Sequence, residues 1–261
     1  MSLSGKTAVI TGSTSGIGLG IAEELAAQGA NVVLNSFTDT KEDHELAEKV
    51  AKKGNAGAAY VQADMSDATA CRALVEQAAK AFGKVDILVN NAGIQHVAPV
   101  GEFPPAKWDA IIAINMSSAF HTAAIAVPMM KENGWGRIVN IASAHGLTAS
   151  PFKSAYVTAK HGVVGLTKVV ALETAEDPIT CNAVCPGYVL TPLVEAQIPD
   201  TMKEYNMTRE QVERDILLAR QPSKQFATIE QIAGNVTFLC SPAAEQITGT
   251  TISVDGGWTA L

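Results

Sequence analysis

The sequence predicts an α/β fold, in which a doubly wound parallel sheet is flanked by helices within a single domain. Short runs rich in β-branched residues alternate with longer runs whose apolar residues recur every three or four positions. The first strand-like run leads directly into a glycine-rich segment. The 261 residues are 47% hydrophobic, which is enough to build one large core, so we expect one domain over 1–261.

The amino-terminal segment predicts a strand at 6–11, a glycine turn with the sequence GSTSGIG at 12–18, and an alanine-rich helix at 19–28. Glycines permit positive φ angles and let a ligand approach the backbone, while the free N–H groups of a helix start favour negative charge. A lone glycine motif is ordinarily a structural turn. Its place between a strand and a helix is the context in which such a motif binds a pyrophosphate, so we predict a nucleotide site here.

Three further strands are predicted at 31–36, 58–63 and 85–90, with helical patterns between them. The last of these helices has a buried stripe with the spacing of one helix face, formed by Cys71, Leu74, Val75, Ala78 and Phe82. This alternation predicts βαβ units and therefore a parallel sheet. The continuous apolar character of the strands suits burial on both faces.

The second half continues the alternation. Helices are predicted at 107–133, 154–175 and 229–239, and strands at 137–142, 179–185 and 251–254. The region from Pro186 to Gln225 departs from it, with several prolines, many charges and short helical patterns. A long insertion after the carboxyl end of the sixth strand is a candidate helical lid, which we place at 190–222. An ordinary surface excursion is the alternative.

Composition narrows the function classes. The formal net charge of −7, without a basic run, argues against a nucleic-acid partner. No stretch approaches 18 uninterrupted apolar residues and no signal-like segment is seen, so we expect neither a membrane partner nor secretion. The four cysteines form no CxxC pair and the histidines have no ligand spacing, so no metal site is predicted. We expect a cytoplasmic protein.

The segment 143–160 carries the most distinctive candidate chemistry. If Ser154 caps the predicted helix, then Lys153, Tyr156 and Lys160 fall within an arc of roughly 60°, at about 100° per residue. A solvated helix face is the ordinary explanation of such spacing. Ser143, thirteen residues before the tyrosine, lies at the carboxyl end of a predicted parallel strand, where open α/β sheets bind their ligands. This placement favours a functional site.

Several motifs, in order along essentially the whole chain, resemble the short-chain dehydrogenase/reductase family. They are Thr11-Gly12 through Gly16-Ile17-Gly18, Asn90-Asn91-Ala92-Gly93, Asn115, Ser143, Tyr156-Val157-Thr158-Ala159-Lys160, Pro186-Gly187 and Asp255-Gly256-Gly257. The resemblance implies a Rossmann-type fold and hydride transfer between a nicotinamide cofactor and a carbon that bears oxygen. It also implies a homotetramer.

The resemblance further implies four catalytic residues. Tyr156 would be the general acid/base, Ser143 would orient the substrate oxygen, Lys160 would support the tyrosine and the nicotinamide ribose, and Asn115 would hold a proton-relay water. A free tyrosine has a pKa near 10, so a base near pH 7 needs its anion stabilised by roughly 4 kcal/mol. A neighbouring ammonium and the positive charge of an oxidised nicotinamide act in that direction.

By the same resemblance, the predicted cofactor contacts are Gly12, Thr14, Gly16, Ile17, Gly18, Phe37, Asp64, Met65, Asn91, Gly93, Tyr156, Lys160, Pro186, Val189 and Thr191. The second strand ends in Asn35-Ser36-Phe37 and lacks the acidic residue usual for NAD. However, no Lys or Arg occupies Ser15, Phe37 or Thr38, where a 2′-phosphate would need a partner. We therefore predict NAD, with Phe37 near the adenosine ribose.

Five further polar or aromatic residues resemble the substrate-site residues of one branch of the family. The members of that branch act on small hydroxy or keto acids and hold the carboxylate of the substrate. The five residues are Gln95, His145, Lys153, Gln197 and Trp258. An amide, an imidazole and an ammonium can supply charge-assisted hydrogen bonds to a carboxylate. Taken singly, each has an ordinary explanation: a loop contact, a solvated side chain or an exposed helix position. A 3-oxoacyl carrier-protein reductase, a polyol dehydrogenase and a non-catalytic dinucleotide sensor are the alternatives.

Overall fold

A computed structural model, which describes residues 2–54 and 56–261, contains one seven-stranded parallel sheet with helices on both faces. The strands are β1 Thr7–Ile10, β2 Asn31–Ser36, β3 Ala58–Gln62, β4 Ile87–Asn90, β5 Gly136–Ile141, β6 Ile179–Pro186 and β7 Thr251–Val254. Their order is β3-β2-β1-β4-β5-β6-β7. The predicted fold class is confirmed. The order reverses between β1 and β4, and the crevice at the carboxyl ends there is where such sheets bind ligands.

The helices that cover the sheet are α1 Gly16–Ala27, α2 Lys41–Gly54, α3 Ala68–Phe82, α4 Pro105–Ile112, α5 Ser118–Asn133, α6 Ser154–Glu173, α7 Pro192–Tyr205, α8 Arg209–Gln211 and α9 Ile229–Leu239. Two π-helical segments, Ala113–Ser117 and Val212–Leu217, continue α4 and α8. The helix predicted at 107–133 is therefore a longer helical run, and it contains a π turn in its middle.

Helices cover both faces of the sheet, and since successive strand residues point to opposite faces, strands such as β1 and β4 are buried along their whole length. On one face, Ile10 and Leu34 pack with Leu25 of α1. On the other face, Leu88 packs with Leu74 of α3, and the same cluster includes Met130 of α5. Each fully buried leucine or isoleucine side chain contributes about 1.5–3 kcal/mol. The apolar strand runs of the sequence are explained by this double burial.

One helix start and one helix cap differ from the sequence-based expectation. Helix α1 begins at Gly16, three residues earlier than predicted, because the end of the glycine turn is already helical. Helix α6 begins at Ser154 with Lys153 as its N-cap, and the buried Ser154 hydroxyl has no hydrogen-bond partner. The expectation that Ser154 caps α6 is therefore wrong. The residue lies one position inside the helix, where its side chain does not reach the first-turn N–H groups.

The helical run Pro105–Asn133 has a mean hydropathy of 1.6 over its most apolar stretch, so by length and composition alone it could span a membrane. Core helices of globular proteins meet the same criterion. Here α5 packs against α3 and against strands β4 and β5. This run is consistent with a core helix, and the absence of a membrane partner stays a prediction.

A buried chain of polar side chains joins α5, β4, β5 and α6. The Thr122 hydroxyl donates to Asn90 Oδ1 at 2.7 Å, Asn90 Nδ2 donates to Asn140 Oδ1 at 2.8 Å, and Asn140 Nδ2 donates to Thr167 Oγ1 at 2.8 Å. Buried hydrogen bonds contribute about 0.5–1.5 kcal/mol each and are costly to leave half-made. This chain therefore fixes the two helices relative to the strands between them.

Residues 190–222 contain α7, α8 and the second π segment, in agreement with the short helices expected there. Ile198, Val212 and Leu218 are buried. On the outside, Arg209 forms ion pairs with Glu195 and Glu213, each with a shortest distance of 2.6 Å. Closure of this segment over a substrate stays a prediction.

Candidate active site

The glycine turn after β1 has a backbone that side chains would obstruct. Gly12 and Gly16 adopt φ angles of 59° and 55°, in the left-handed region that favours glycine. A Cβ atom at Gly18 would lie 2.4 Å from the Gly12 carbonyl oxygen. The N-cap Ser15 makes no side-chain capping bond to α1, whose first N–H groups have no partner within the helix. The turn therefore fits the pyrophosphate of a dinucleotide.

Side chains from neighbouring strands hold this turn in place. Asn91 Nδ2 donates to the carbonyls of Thr11 and Gly12, both at 2.9 Å, and the Thr11 hydroxyl accepts from the N–H groups of Asn91 and Ala92. The predicted cofactor residue Asn91 thus uses its amide to close the turn. Its contact with a cofactor stays a prediction.

Asn35, near the end of β2, has a structural role in the glycine turn. Its side chain is fully buried, accepts from the Gly12 N–H at 3.1 Å, and donates to the carbonyls of Val61 and Ala63, also at 3.1 Å. Asn35 therefore joins the glycine turn to β2 and β3. Sequence reasoning did not assign it this role, and the only signal was a polar residue inside an apolar strand.

The remaining predicted cofactor residues line the same edge of the sheet. Phe37 follows β2 and is 72% exposed, while Met65 is buried after β3 beside Asp64, whose carboxylate accepts from Ser66 N–H. Pro186 ends β6 and Val189 is buried beyond it. Thr191 caps α7 at a hydrogen-bond distance of 3.4 Å and lies close to Gly16. Thr14 and Ile17 belong to the turn and to α1.

Asn115 lies in the π turn between α4 and α5, with a buried side chain. Its Oδ1 accepts from the Ile94 N–H at 2.9 Å, and its Nδ2 donates to the Ile94 carbonyl at 3.0 Å. These two bonds hold the loop after β4. A Cβ atom at Gly93 would contact Asn115 at 3.5 Å, so the loop runs close to this side chain. The water-holding role of Asn115 stays a prediction.

Ser143 and Tyr156 come together beside the carboxyl end of β5. The Ser143 hydroxyl accepts from the His145 N–H at 3.1 Å and also interacts with the Tyr156 phenol. Burial raises the pKa of Tyr156 above its usual value, the Ser143 hydrogen bond partly offsets this rise, and nearby Tyr188 adds to it. A phenol in this setting is protonated at neutral pH.

Lys160 is 4% exposed and donates from Nζ to the Ile141 carbonyl at 2.7 Å. Its Nζ lies 5.7 Å from the centre of the Tyr156 ring. Burial lowers the pKa of Lys160 to about 8. The sequence argument expected an ammonium here to lower the pKa of Tyr156. In this chain burial outweighs that effect, and the ammonium is engaged by the strand carbonyl.

His145 lies between Tyr156 and Trp258, with ring centres 5.9 Å and 5.0 Å away. Its Nε2 and the Ser150 hydroxyl are 2.8 Å apart. Burial, followed by the charges of Lys153, Arg220 and His161, lowers the pKa of His145 to about 4. The imidazole is therefore neutral near pH 7. It offers a neutral hydrogen bond rather than a positive charge.

The positive charge near His145 comes from Lys153 and Arg220. Lys153 is partly buried, and burial followed by the charge of Arg220 lowers its pKa. Arg220, at the end of the lid segment, donates from Nη1 to the Ala149 carbonyl at 2.8 Å. Sequence reasoning missed Arg220, because nothing in its neighbourhood along the chain marks it. Its role arises only from tertiary contact.

Two of the predicted substrate residues are not joined to this cluster. Gln95 and Gln197 are exposed, and among residues 2–54 and 56–261 no hydrogen bond links either side chain to it. Gln197 lies on α7, where its carbonyl accepts from the Thr201 hydroxyl. Trp258 is buried and stacks on Tyr188, with ring centres 5.9 Å apart. The contact of both glutamines with a substrate stays a prediction.

Comparison with known proteins agrees with this geometry. A family model described as enoyl-(acyl carrier protein) reductase matches residues 12–259. The chain is 55% identical to the D-beta-hydroxybutyrate dehydrogenase of Rhizobium meliloti (strain 1021) over 98% of this chain and 99% of that one. It is 54% identical to the protein of the same name from Cupriavidus necator, over 99% of both chains.

A solved structure from Agrobacterium tumefaciens, described as a 2-deoxy-D-gluconate 3-dehydrogenase with bound NADP, aligns with a TM-score of 0.84 at 35% identity. The alignment covers 100% of this chain and 98% of that one. Both the sequence and the fold are therefore shared along the whole chain with enzymes that transfer hydride to or from a nicotinamide cofactor.

Proposed function

The chain belongs to the short-chain dehydrogenase/reductase family and is an oxidoreductase, and we propose that it catalyses the reversible, NAD-dependent oxidation of D-3-hydroxybutyrate to acetoacetate. One observation carries the choice of substrate: the charges of Lys153 and the exposed Arg220 act on His145, whose ring packs against the phenol ring of Tyr156. The D-beta-hydroxybutyrate dehydrogenases that are 54% and 55% identical to this chain support it.

The side chains of Lys153, Arg220 and His145 suit a small carboxylate. The protein has a net charge of −7, so an anionic substrate needs local positive charge, which Lys153 and Arg220 supply. Neutral His145 adds a hydrogen-bonding ring, and the stacked Trp258 and Tyr188 form an aromatic wall behind it. A charge-assisted hydrogen bond to Lys153 would hold the carboxylate while the hydroxyl-bearing carbon faces Tyr156.

The reacting groups of the chain have separate tasks. Ser143 and Tyr156 hydrogen-bond the substrate oxygen. In reduction the Tyr156 phenol gives its proton to that oxygen, and in oxidation the phenolate form, favoured by the Lys160 cation and by the positive charge of an oxidised nicotinamide, takes the hydroxyl proton. A nicotinamide dinucleotide, when bound, supplies the hydride acceptor. The residues that would hold it are those of the glycine turn, with Phe37, Asp64, Met65, Pro186, Val189 and Thr191 around the same edge. Lys160 keeps a cation beside Tyr156.

The preference for NAD rests on the surroundings of Phe37. Ser15, Phe37 and Thr38 offer no cation for a 2′-phosphate, and the Thr38 carbonyl accepts a hydrogen bond from the Tyr60 hydroxyl. The solved relative with bound NADP keeps NADP as the competing possibility. Turnover measured with both dinucleotides at equal concentration distinguishes them.

The alternative is a reductase of 3-oxoacyl groups on an acidic carrier protein. The name of the matching family model favours it, whereas the net charge of −7 does not suit an acidic partner. The test is a panel of both 3-hydroxybutyrate enantiomers, a polyol and a 3-oxoacyl thioester, each with NAD and NADP. We expect the D enantiomer with NAD to give the highest kcat/KM. A preference for the thioester with NADP would contradict the proposal.

Two substitutions test the proposed roles. Tyr156→Phe should lower kcat by about 10²–10⁴-fold and leave the Kd for dinucleotide nearly unchanged. Lys153→Met should lower kcat/KM for D-3-hydroxybutyrate by about 10–100-fold, because one charge-assisted hydrogen bond to the substrate is lost. The methyl ester of the same substrate provides the control, because it lacks the charge and should lose little. Equal losses on acid and ester would refute the carboxylate contact.

We further propose a homotetramer in the cytoplasm. Phe120 of α5 and Val169 and Leu172 of α6 are exposed apolar side chains that a subunit interface would cover. The four cysteines are free and buried, which suits a reducing compartment. Light scattering coupled to gel filtration measures the assembly, and a monomer at micromolar concentration would contradict it.

A further inference from the structure

A cavity lies at the amino ends of the strands, at the opposite edge of the sheet from the candidate active site. Its volume is about 470 Å³, it is open to solvent on one side, and it is lined by the start of the chain, the starts of β1 and β5, and the segment that follows α9. Along β5, roughly 20 Å of extended chain separates Arg137 at this cavity from Ser143. The cavity is therefore distinct from the dehydrogenase site.

Arg137 is the central feature of the cavity. It is 3% exposed, and its Nη1 donates to the carbonyls of Gly136 at 2.8 Å and Pro178 at 3.3 Å. Its Nε has no partner, and in the described part of the chain no carboxylate lies within ion-pair distance of it. A buried guanidinium without a counter-ion is unfavourable, so an anion bound beside Arg137 would be stabilising.

A second buried donor lines the same cavity. The Ser241 hydroxyl, just beyond the end of α9, is buried and has no hydrogen-bond partner within the described residues. It does not cap the short helical turn that follows it. Buried polar groups in folded proteins are nearly always paired, so two unpaired donors at one cavity are an unusual combination. Both residues line the same cavity, so they are the candidate donors to one carboxylate bound there.

The charges around the cavity favour a monoanion. The Lys6 ammonium is already paired with Asp86 at 3.3 Å and lies 3.8 Å from the centre of the Trp135 ring. Glu245 also lines the cavity, and its negative charge acts on Arg137 from beyond ion-pair distance. Because Asp86 is shared between Lys6 and Lys84, the lining charges without an ion-pair partner among the described residues are those of Arg137 and Glu245. A dianion such as phosphate would meet stronger repulsion from Glu245 than a monoanion would.

The rest of the lining is apolar. Leu3, Cys240, Pro242 and Ala243 form walls, and the Trp135 ring is held between Lys6 and the Arg137 guanidinium, whose central carbon lies 4.4 Å from the ring centre. Such walls suit a hydrocarbon chain rather than a sugar or a nucleotide, whose many polar groups would lose their partners.

We propose that this cavity is a binding site for a short aliphatic monocarboxylate, with Arg137 and Ser241 donating to its carboxylate and its chain against Leu3, Trp135 and Pro242. This proposed site does not depend on the identity of the dehydrogenase substrate. A fatty acid of about six carbons fits both the charge and the apolar walls of a cavity this size.

The test uses full-length enzyme labelled with 5-fluorotryptophan, in the presence of NAD, with hexanoate as the probe. The chain has three tryptophans, so three fluorine signals are expected, and Trp135→Phe identifies the one that reports on the cavity. Hexanoate should shift the Trp135 signal saturably. Trp258 reports on the candidate active site, so a shift of the Trp258 signal alone would overturn the proposal, as would no shift at millimolar hexanoate.

Matched variants locate the binding groups. Ser241→Ala should weaken hexanoate binding by about 3–10-fold, and Arg137→Lys should weaken it at least tenfold because lysine lacks the paired donors. Glu245→Gln removes a competing carboxylate and should tighten binding. The control Lys153→Met, in the other site, should leave the Trp135 titration unchanged. If Arg137→Lys does not fold, Ser241→Ala and Glu245→Gln carry the test, and unaltered affinities in both would refute the site.

Discussion

Replacing Lys160 with methionine should make the folded protein more stable at neutral pH while removing activity. The side chain is 4% exposed, and burial lowers its pKa from an ordinary 10.5 to about 8. A shift of about 2.5 units at 1.36 kcal/mol per unit corresponds to about 3 kcal/mol of unfavourable free energy for keeping the ammonium charged in the folded state. Methionine has a similar length and carries no charge.

The hydrogen bond from Lys160 to the Ile141 carbonyl opposes this gain. A hydrogen bond to a charged group contributes about 1.5 kcal/mol or somewhat more, and Lys160→Met removes it. The net stabilisation should therefore be about 1–2 kcal/mol, which raises the melting temperature by a few degrees for a chain of this size. Urea unfolding followed by circular dichroism measures the free energy directly. Lys168→Met, at an exposed lysine of the same helix, is the control and should change stability little.

The difference in unfolding free energy between Lys160→Met and the wild-type protein should depend on pH. Because the folded-state pKa of Lys160 is depressed, the unfolded chain binds more protons than the folded chain between pH 8 and 10.5, so the Lys160 contribution to stability rises with pH there. The advantage of Lys160→Met should be full below pH 8 and shrink as the pH rises from 8 towards 10. Lower stability of the variant at pH 7, or a difference that does not change with pH, would refute the argument.

Three other substitutions follow from the structure. Phe37→Arg places a guanidinium where a 2′-phosphate would lie, and should raise the ratio of kcat/KM for NADP over NAD about tenfold; an unchanged ratio would argue against this position of the adenosine ribose. Gly18→Ala puts a Cβ atom 2.4 Å from the Gly12 carbonyl, and should weaken reduced-dinucleotide binding at least tenfold in a fluorescence titration; wild-type affinity would show that the turn can relax. Asn140→Leu removes the acceptor of Asn90 Nδ2 and the donor to Thr167 Oγ1, and should lower the free energy of unfolding by about 2–4 kcal/mol in urea, whereas a loss near zero would mean that water replaces the amide.

The fold was predictable because its signals are local. The apolar strand runs, the three-and-four spacing around Leu74 and the glycine turn at Gly12 each follow from the periodicity or the backbone geometry of a short segment. These segments fall where the sequence placed them, within a few residues at their ends. The start of α6 at Ser154 was predicted, but its cap was not, because one position decides whether a hydroxyl reaches the first-turn N–H groups and periodicity does not resolve one position.

The site was predictable only where the chemistry lies close along the chain. Ser143, His145, Lys153 and Tyr156 lie within one segment and meet in the structure. Arg220 joins them from a distant segment, so its contribution depends on how the lid folds back. The ionisation of Tyr156 was likewise beyond sequence reasoning, because burial by the surrounding structure sets the direction of its pKa shift.

The π turn at Ala113–Ser117 limits how chain length can vary over evolutionary time. A π turn holds one residue more than a regular α-helical turn needs, and Asn115 lies within that extra length. Deleting a residue there would restore a regular helix and rotate Asn115 by about 100° relative to the helix that follows, away from Ile94. Insertions and deletions among descendants of this sequence should therefore collect in the loop before α4 and in the lid segment, while the spacing from Ile112 to Ser118 is inherited unchanged.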